Sequence, residues 1–126
     1  MPDPNGQTDD QLFLLFVEIL DFAKFEEILP RHLAWLTARF AEGSFLVTGG
    51  LFDSDGDKSN RALAILRAPS LQAAEALISD DPFTMAGVCK TSFLRYAPRM
   101  HAEALGGIFP MPLSNAIARP QMVPQQ

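Results

Sequence analysis

The chain has 126 residues, a formal net charge of −5 and a hydrophobic content of 48%, which suits one globular domain with its own core. The acidic balance and the lack of a basic stripe exclude a typical nucleic-acid-binding surface. The longest apolar run, Leu12 to Val17, is too short to span a bilayer, and no basic segment precedes it as in a secretory signal. We therefore expect a cytoplasmic protein that binds neither nucleic acid nor a membrane.

The first predicted elements are a polar arm, a strand and a helix. Residues 1–11 form the arm. Leu12–Ile19 is a strand with apolar side chains on both faces, so both faces must be covered. The helix that follows is predicted to begin between Phe25 and Pro30 and to end at Gly43. Pro30 suits a first helical turn, because its missing N–H costs little there.

The middle of the chain carries two more strands joined by a polar loop. Ser44–Thr48 is a short strand, and Gly49-Gly50 permits a bend or bulge after it. Residues 53–60 are rich in turn formers and superficially resemble a calcium loop. The loop lacks the required glycine and glutamate at their positions, so no metal site is expected. Arg61–Arg67 is the next strand and is again apolar on both faces.

The last predicted elements are a helix, a helical turn and a strand. Ser70 can cap the helix Leu71–Ile78 through its hydroxyl. Pro82–Val88 is predicted to be a short helical turn, and Thr91–Ala97 the last strand. The chain therefore alternates strand, helix, strand, strand, helix and strand.

This order is typical of the α+β ferredoxin-like fold, βαββαβ, with an antiparallel four-stranded sheet. The first and third strands lie in its centre, which agrees with their apolar faces. Two helices cover only one face of such a sheet, and the other face would expose a large apolar patch. A second copy of the chain is the simplest cover, so we expect a homodimer that forms a dimeric α/β barrel.

The composition changes at both ends of this domain. We expect residues 1–11 to be a flexible arm, residues 12–98 to be the ferredoxin-like domain and residues 99–126 to be an irregular tail. The tail contains the apolar segment Ile108–Leu113, which a free tail would not need. We therefore expect it to dock on the body or on the partner subunit.

Candidate site residues lie at the edge of the predicted helix stripe. His32 lies where the apolar face meets the polar one, with Trp35 and Arg39 beside it as possible pocket residues. Asp81 precedes a proline-led turn, where it suits an N-cap. From these residues alone, a boundary histidine bonded to a backbone carbonyl is the alternative to a catalytic one. Cys89 is the single cysteine, which favours a small buried side chain over a nucleophile.

Three groups of residues, in this order, support a family comparison. They are His32-Leu33 with Leu36 and Gly43, then Gly49-Gly50, then Asp81-Pro82-Phe83 with Ala86-Gly87. From about Leu12 to Pro98, the chain thereby resembles the YCII-like family. The resemblance implies a ferredoxin-fold dimer with a His–Asp pair in a cleft, here His32 and Asp81. Phe83, close to Asp81 in the sequence, is a further possible pocket residue. Many relatives place an arginine one turn before the histidine, where this chain has Leu29.

One enzyme class that resembles this family removes chloride from a chlorinated hydroxyhydroquinone. A carboxylate bonded to one imidazole nitrogen leaves the other nitrogen free to act as a base. Our leading hypothesis is a small cofactor-free enzyme, a lyase or isomerase acting on a ring-type or unsaturated metabolite, with His32 as base and Asp81 orienting it. The alternatives are a dimeric module that binds a small molecule without turnover, and a purely structural partner domain.

Overall fold

The computed structural model describes residues 10–56 and 59–107, and Gln11–Tyr96 form one compact unit. Its elements are β1 (Gln11–Ile19), α1 (Phe22–Glu42), β2 (Phe45–Leu51), β3 (Arg61–Ala68), α2 (Leu71–Leu77), α3 (Pro82–Ala86) and β4 (Cys89–Tyr96). Outside this unit, a short 3-10 helix spans Glu103–Leu105. The predicted docking segment, residues 108–113, lies outside the described residues.

The four strands form one antiparallel sheet in the order β2-β3-β1-β4. β1 and β3 are central, as their two apolar faces predicted. Helices cover one face only, where Phe13, Leu15 and Leu66 pack with Ala74 of α2 and with Ile78, which follows that helix. The predicted ferredoxin-like fold is therefore confirmed. Within the described ranges, no helix combines the length and apolarity needed to cross a bilayer.

The start of α1 differs from its prediction. Asp21 caps the helix by accepting a hydrogen bond from the backbone N–H of Lys24 at 3.1 Å, so α1 begins at Phe22 and Pro30 lies inside it. Pro30 removes the bond that its N–H would make to the carbonyl of Glu26, and both residues are exposed. Gly43 ends the helix as predicted, in a left-handed conformation with φ 88°.

The bend predicted after the second strand is also absent at the expected place. β2 continues through Gly49 and Gly50 to Leu51, and its pairing with β3 stays regular there. The irregularity lies earlier, between Phe45 and Val47, where the register shifts. Neither Gly49 nor Gly50 has a positive φ, so these glycines serve a purpose other than a turn.

The sheet face away from the helices stays apolar and open in the single chain. Cross-strand partners share a face, and the pairs Phe16↔Leu63 and Leu14↔Ile65 lie opposite the helix-facing pairs. Leu14, Phe16, Leu63 and Ile65 are only half-buried, and Val47 and Leu94 are exposed. We call this set the open face.

Candidate functional site

A cavity of about 410 Å³ lies on the helix-covered side of the sheet. The residues of α1 that line it share one face of the helix: Phe25, Leu29, His32, Leu33, Trp35 and Leu36. Asp81 and Phe83 from the start of α3 also line it, and the sheet supplies the floor. The volume is within the range of sites for small organic ligands.

The cavity exists because the sheet floor changes from large to small side chains. At one end, Phe13 pairs with Leu66 and Leu66 pairs with Phe45, and these large side chains fill the core. At the other end, the helix-facing positions are Ala62 and Gly50, which pair with each other. Small residues leave space below α1, and the cavity occupies that space.

His32 and Asp81 form the polar centre of this cavity. Nδ1 of His32 lies 2.8 Å from Oδ1 of Asp81, which is hydrogen-bonding distance. The same oxygen accepts the backbone N–H of Phe83 at 3.0 Å, which caps α3. Asp81 is the buried charged residue of the described chain. A carboxylate accepts only, so Nδ1–H of His32 is the donor of this bond, and in the neutral imidazole the free lone pair is on Nε2.

Aromatic rings hold the imidazole on both sides. Phe83 stacks on Phe25 at 5.0 Å and on His32 at 4.0 Å between ring centroids. Phe25 and His32 are two helical turns apart, about 10 Å, which leaves room for one ring between them. Trp35, one turn further along α1, stacks on the other side of His32 at 5.9 Å. Rings therefore cover both faces of the imidazole, and its edge remains as the part that can line the cavity.

Trp35 is itself fixed by a neighbour of the pair. Its indole N–H donates to Oδ1 of Asp80 at 2.9 Å, and Arg39 lies over its ring at 5.5 Å. Trp35 lines the cavity as predicted for a pocket residue, whereas Arg39 is not among the described residues that line it. Arg39 instead lies over the ring of Trp35 and pairs with Glu42 at 3.3 Å, and a role for Arg39 at the pocket stays a prediction.

Cys89 also lines the cavity. It packs partly buried against Ile28, Phe83 and Val88, in agreement with the expected role as a small core side chain. Burial raises the pKa of its thiol to about 11, and the nearby carboxylate of Asp81 adds to the increase. The thiol therefore stays protonated near neutral pH and is a poor nucleophile.

His32, Asp81, Trp35 and Phe83, which the sequence suggested as site residues, all line the cavity, and two neighbouring residues were not among those suggested. Phe25 was treated as a possible helix start, although its spacing of seven from His32 places both on one helix face. Asp80 is not among the residues predicted for the site, yet its carboxylate accepts the indole N–H of Trp35. No local sequence pattern predicts this contact, because Trp35 and Asp80 are 45 positions apart.

Solved structures resemble this chain at low sequence identity. 5-Chloro-2-hydroxyhydroquinone dehydrochlorinase (TftG) from Burkholderia phenoliruptrix AC1100, in complex with 2,5-dihydroxybenzoquinone, has 22% identity and a TM-score of 0.59, covering 74% of this chain and 97% of that one. SnoaB, a cofactor-independent oxygenase from Streptomyces nogalater, has 17% identity and a TM-score of 0.43, covering 76% and 99%. A dimeric ferredoxin-like protein from an uncultured marine organism has 9% identity and a TM-score of 0.45, covering 74% and 98%.

The likeness to TftG supports the ferredoxin-like fold and no more at this identity. No curated protein matches the sequence. The YCII-related domain matches residues 8–95, which include β1 to β3, β4 as far as Arg95, and the residues that line the cavity with both members of the His–Asp pair. The chain belongs to the YCII-related family.

Proposed function

We propose that this protein is a cofactor-free enzyme that removes a proton from a planar, hydroxylated ring compound, with His32 as the base. The observation that carries the proposal is the hydrogen bond of 2.8 Å between His32 and Asp81 at the wall of a cavity lined mainly by apolar side chains. Asp81 orients the imidazole and keeps the proton on Nδ1, which leaves Nε2 as the acceptor.

The lining of the cavity favours ring compounds over charged, flexible ones. Phe25 and Trp35 line the cavity on either side of the stacked rings of Phe83 and His32, and such an aromatic lining binds flat apolar rings well. The carboxylate of Asp81 would repel an anionic group placed beside it. A phenol or hydroquinone meets both conditions, because it is neutral and presents an acidic O–H to Nε2.

Removal of HCl from a chlorinated hydroquinone is a reaction of this kind, and a structural neighbour is described as such a dehydrochlorinase. Two hydroxyl groups of the substrate each lose a proton. One proton is transferred to the carbon that bears chlorine, and the other is lost to the base. Chloride departs with the electron pair of the C–Cl bond, and the product is a quinone. The steps need a base that accepts a proton and returns it, which is the role proposed for His32.

The test is turnover of 5-chloro-2-hydroxyhydroquinone, followed by chloride release and by quinone absorbance. His32→Gln should lower kcat about 10²- to 10⁴-fold, while His101→Gln, at the chain's other histidine, should leave it unchanged. Binding that survives in His32→Gln without turnover in any variant would favour the non-catalytic binding module. Equal turnover in His32→Gln and the parent would end the proposal.

We further propose that two copies pair through the open face to form a homodimer. The open face exposes Val47 and Leu94 beside half-buried Leu14, Phe16 and Leu63. A contiguous apolar surface of this kind on a lone chain is costly in water. Pairing of like faces removes it and needs no other partner.

A further inference from the structure

Phe52 is an exposed aromatic residue that lines the cavity. It follows β2 directly, 56% of it is accessible, and it contributes to the cavity wall. It belongs to none of the described ring contacts that hold His32. Phe52 therefore borders the cavity at a different point from the His32–Asp81 pair, where the cavity meets solvent.

The backbone around Phe52 is held in place on both sides. The hydroxyl of Ser59 donates to the carbonyl of Leu51, and Arg61 pairs with Asp53 at 3.3 Å. The N–H of Gly56 donates to the carbonyl of Asp53 at 2.9 Å, which closes a turn. An exposed ring on a fixed backbone loses little freedom when a ligand covers it.

Gly50 makes the position of this ring possible. A Cβ at Gly50 would lie 2.7 Å from Cε1 of Phe52, whereas a Cβ at Gly49 would meet nothing within 4 Å. Gly50 pairs with Ala62, which lies on the helix-facing side. The ring of Phe52 thus lies over the cavity side of the sheet, away from the open face.

We propose that Phe52 is a specificity-determining residue, which contacts the part of a ring ligand that extends beyond the ring at His32. This inference rests on the proposed function, because it requires a ring ligand in the cavity. A single-ring ligand at His32 leaves Phe52 exposed to water. A ligand with a second fused ring covers Phe52 and gains the contact, so the cavity prefers two-ring over one-ring hydroxylated compounds.

The test compares the affinities of phenol and 2-naphthol by isothermal titration calorimetry. Phe52→Ala should weaken 2-naphthol binding about three- to tenfold, the range for one aromatic contact, and leave phenol binding unchanged. Phe22→Ala is the matched control, because Phe22 is 54% accessible and does not line the cavity. It should change neither affinity.

The two glycines provide a second, independent test. Gly50→Ala should displace the ring of Phe52 and reproduce the selective loss for 2-naphthol, while Gly49→Ala should resemble the parent. Equal affinity losses for phenol and 2-naphthol in Phe52→Ala, or no loss for either, would overturn this inference and leave the proposed function standing. A parent protein that binds neither compound would overturn both.

Discussion

Asp81 combines a structural and a proposed chemical role through one oxygen. Its Oδ1 accepts both the backbone N–H of Phe83 at 3.0 Å and Nδ1–H of His32 at 2.8 Å. The cap places the carboxylate at the first turn of α3, where Pro82 follows. The cap geometry therefore also sets the direction from which the carboxylate meets the imidazole.

Asp81→Asn should separate the two roles. Asparagine caps helices about as well as aspartate, so the free energy of unfolding should change by less than about 1 kcal/mol. An amide is a weaker acceptor for Nδ1–H and no longer determines the tautomer, so kcat should fall about 10²-fold or more. Steady-state turnover and ¹⁵N NMR of the His32 ring test this, with Asp80→Asn as the adjacent control. An unchanged ring spectrum in Asp81→Asn would contradict the orienting role.

Cys89 allows a test by pH. Burial, and secondarily Asp81, raise the pKa of Cys89 to about 11 from the ordinary 9.0. At pH 7.5, iodoacetamide should alkylate it about 100-fold more slowly than an ordinary thiol, since so little thiolate is present. Asp81→Asn should speed the reaction by removing a negative charge. Alkylation at the rate of free cysteine would disprove the raised pKa.

The raised pKa of Cys89 also predicts how the stability of the fold changes with pH. The folded-state pKa lies above the unfolded one, so the contribution of Cys89 to stability is complete below pH 9 and is lost as pH rises towards 11. Thermal melting should show a steeper decline over this interval in the parent than in Cys89→Ser. Parallel declines would contradict the expectation.

At the scale of elements, α3 joins α1 to the sheet through one ring. α3 has only five residues, and Phe83 is its buried one, placed between Phe25 and His32 of α1. Val88 and Ile28 complete this second hydrophobic cluster. The short helix is thus stabilised by packing, since five residues are too few to be helical alone.

Phe83→Ala should therefore lower the free energy of unfolding by about 3–5 kcal/mol, the usual cost of deleting a buried phenylalanine ring. Met85→Ala on the same helix should change it by less than about 0.5 kcal/mol, because Met85 is 74% exposed. Urea denaturation of both variants tests this. Similar midpoints for the two variants would mean that the ring stack contributes little to stability.

At the scale of the whole molecule, the sheet has two apolar faces with different covers. Along β1, Phe13 and Leu15 are buried under the helices, while Leu14 and Phe16 face the other way. This alternation follows from the two-residue period of a strand. The register of β1 thereby places Phe13 and Leu15 in the core, and it places Leu14 and Phe16 at the proposed dimer interface.

Phe16→Asp should divide the dimer, because an unpaired carboxylate would be buried between two apolar faces. Sedimentation at micromolar concentration should give twice 13.8 kDa for the parent and a lower mass for the variant. Val17→Asp places the charge on the helix-facing side instead and should unfold the chain. A parent protein that sediments as a stable monomer would refute the dimer.

The sequence by itself determined the number, order and faces of the strands, because a two-residue period and helix caps are local properties. Ser70 and Gly43 marked helix ends correctly. The pairing of His32 with Asp81 came from the family resemblance, which placed two segments 49 residues apart in one cleft.

Only the tertiary structure decided where α1 begins, what Gly50 is for and which rings surround His32. Pro30 is a local signal for a helix start, yet the cap at Asp21 and the packing of Phe25 on Phe83 extend the helix past it. The close approach of Phe52 to Gly50 depends on the strand register and the path of the loop. The cap at Asp21 is itself local, whereas the stack of Phe25 on Phe83 and the position of Phe52 arise from volumes and distances between segments that meet only after folding, so no single stretch of sequence encodes them.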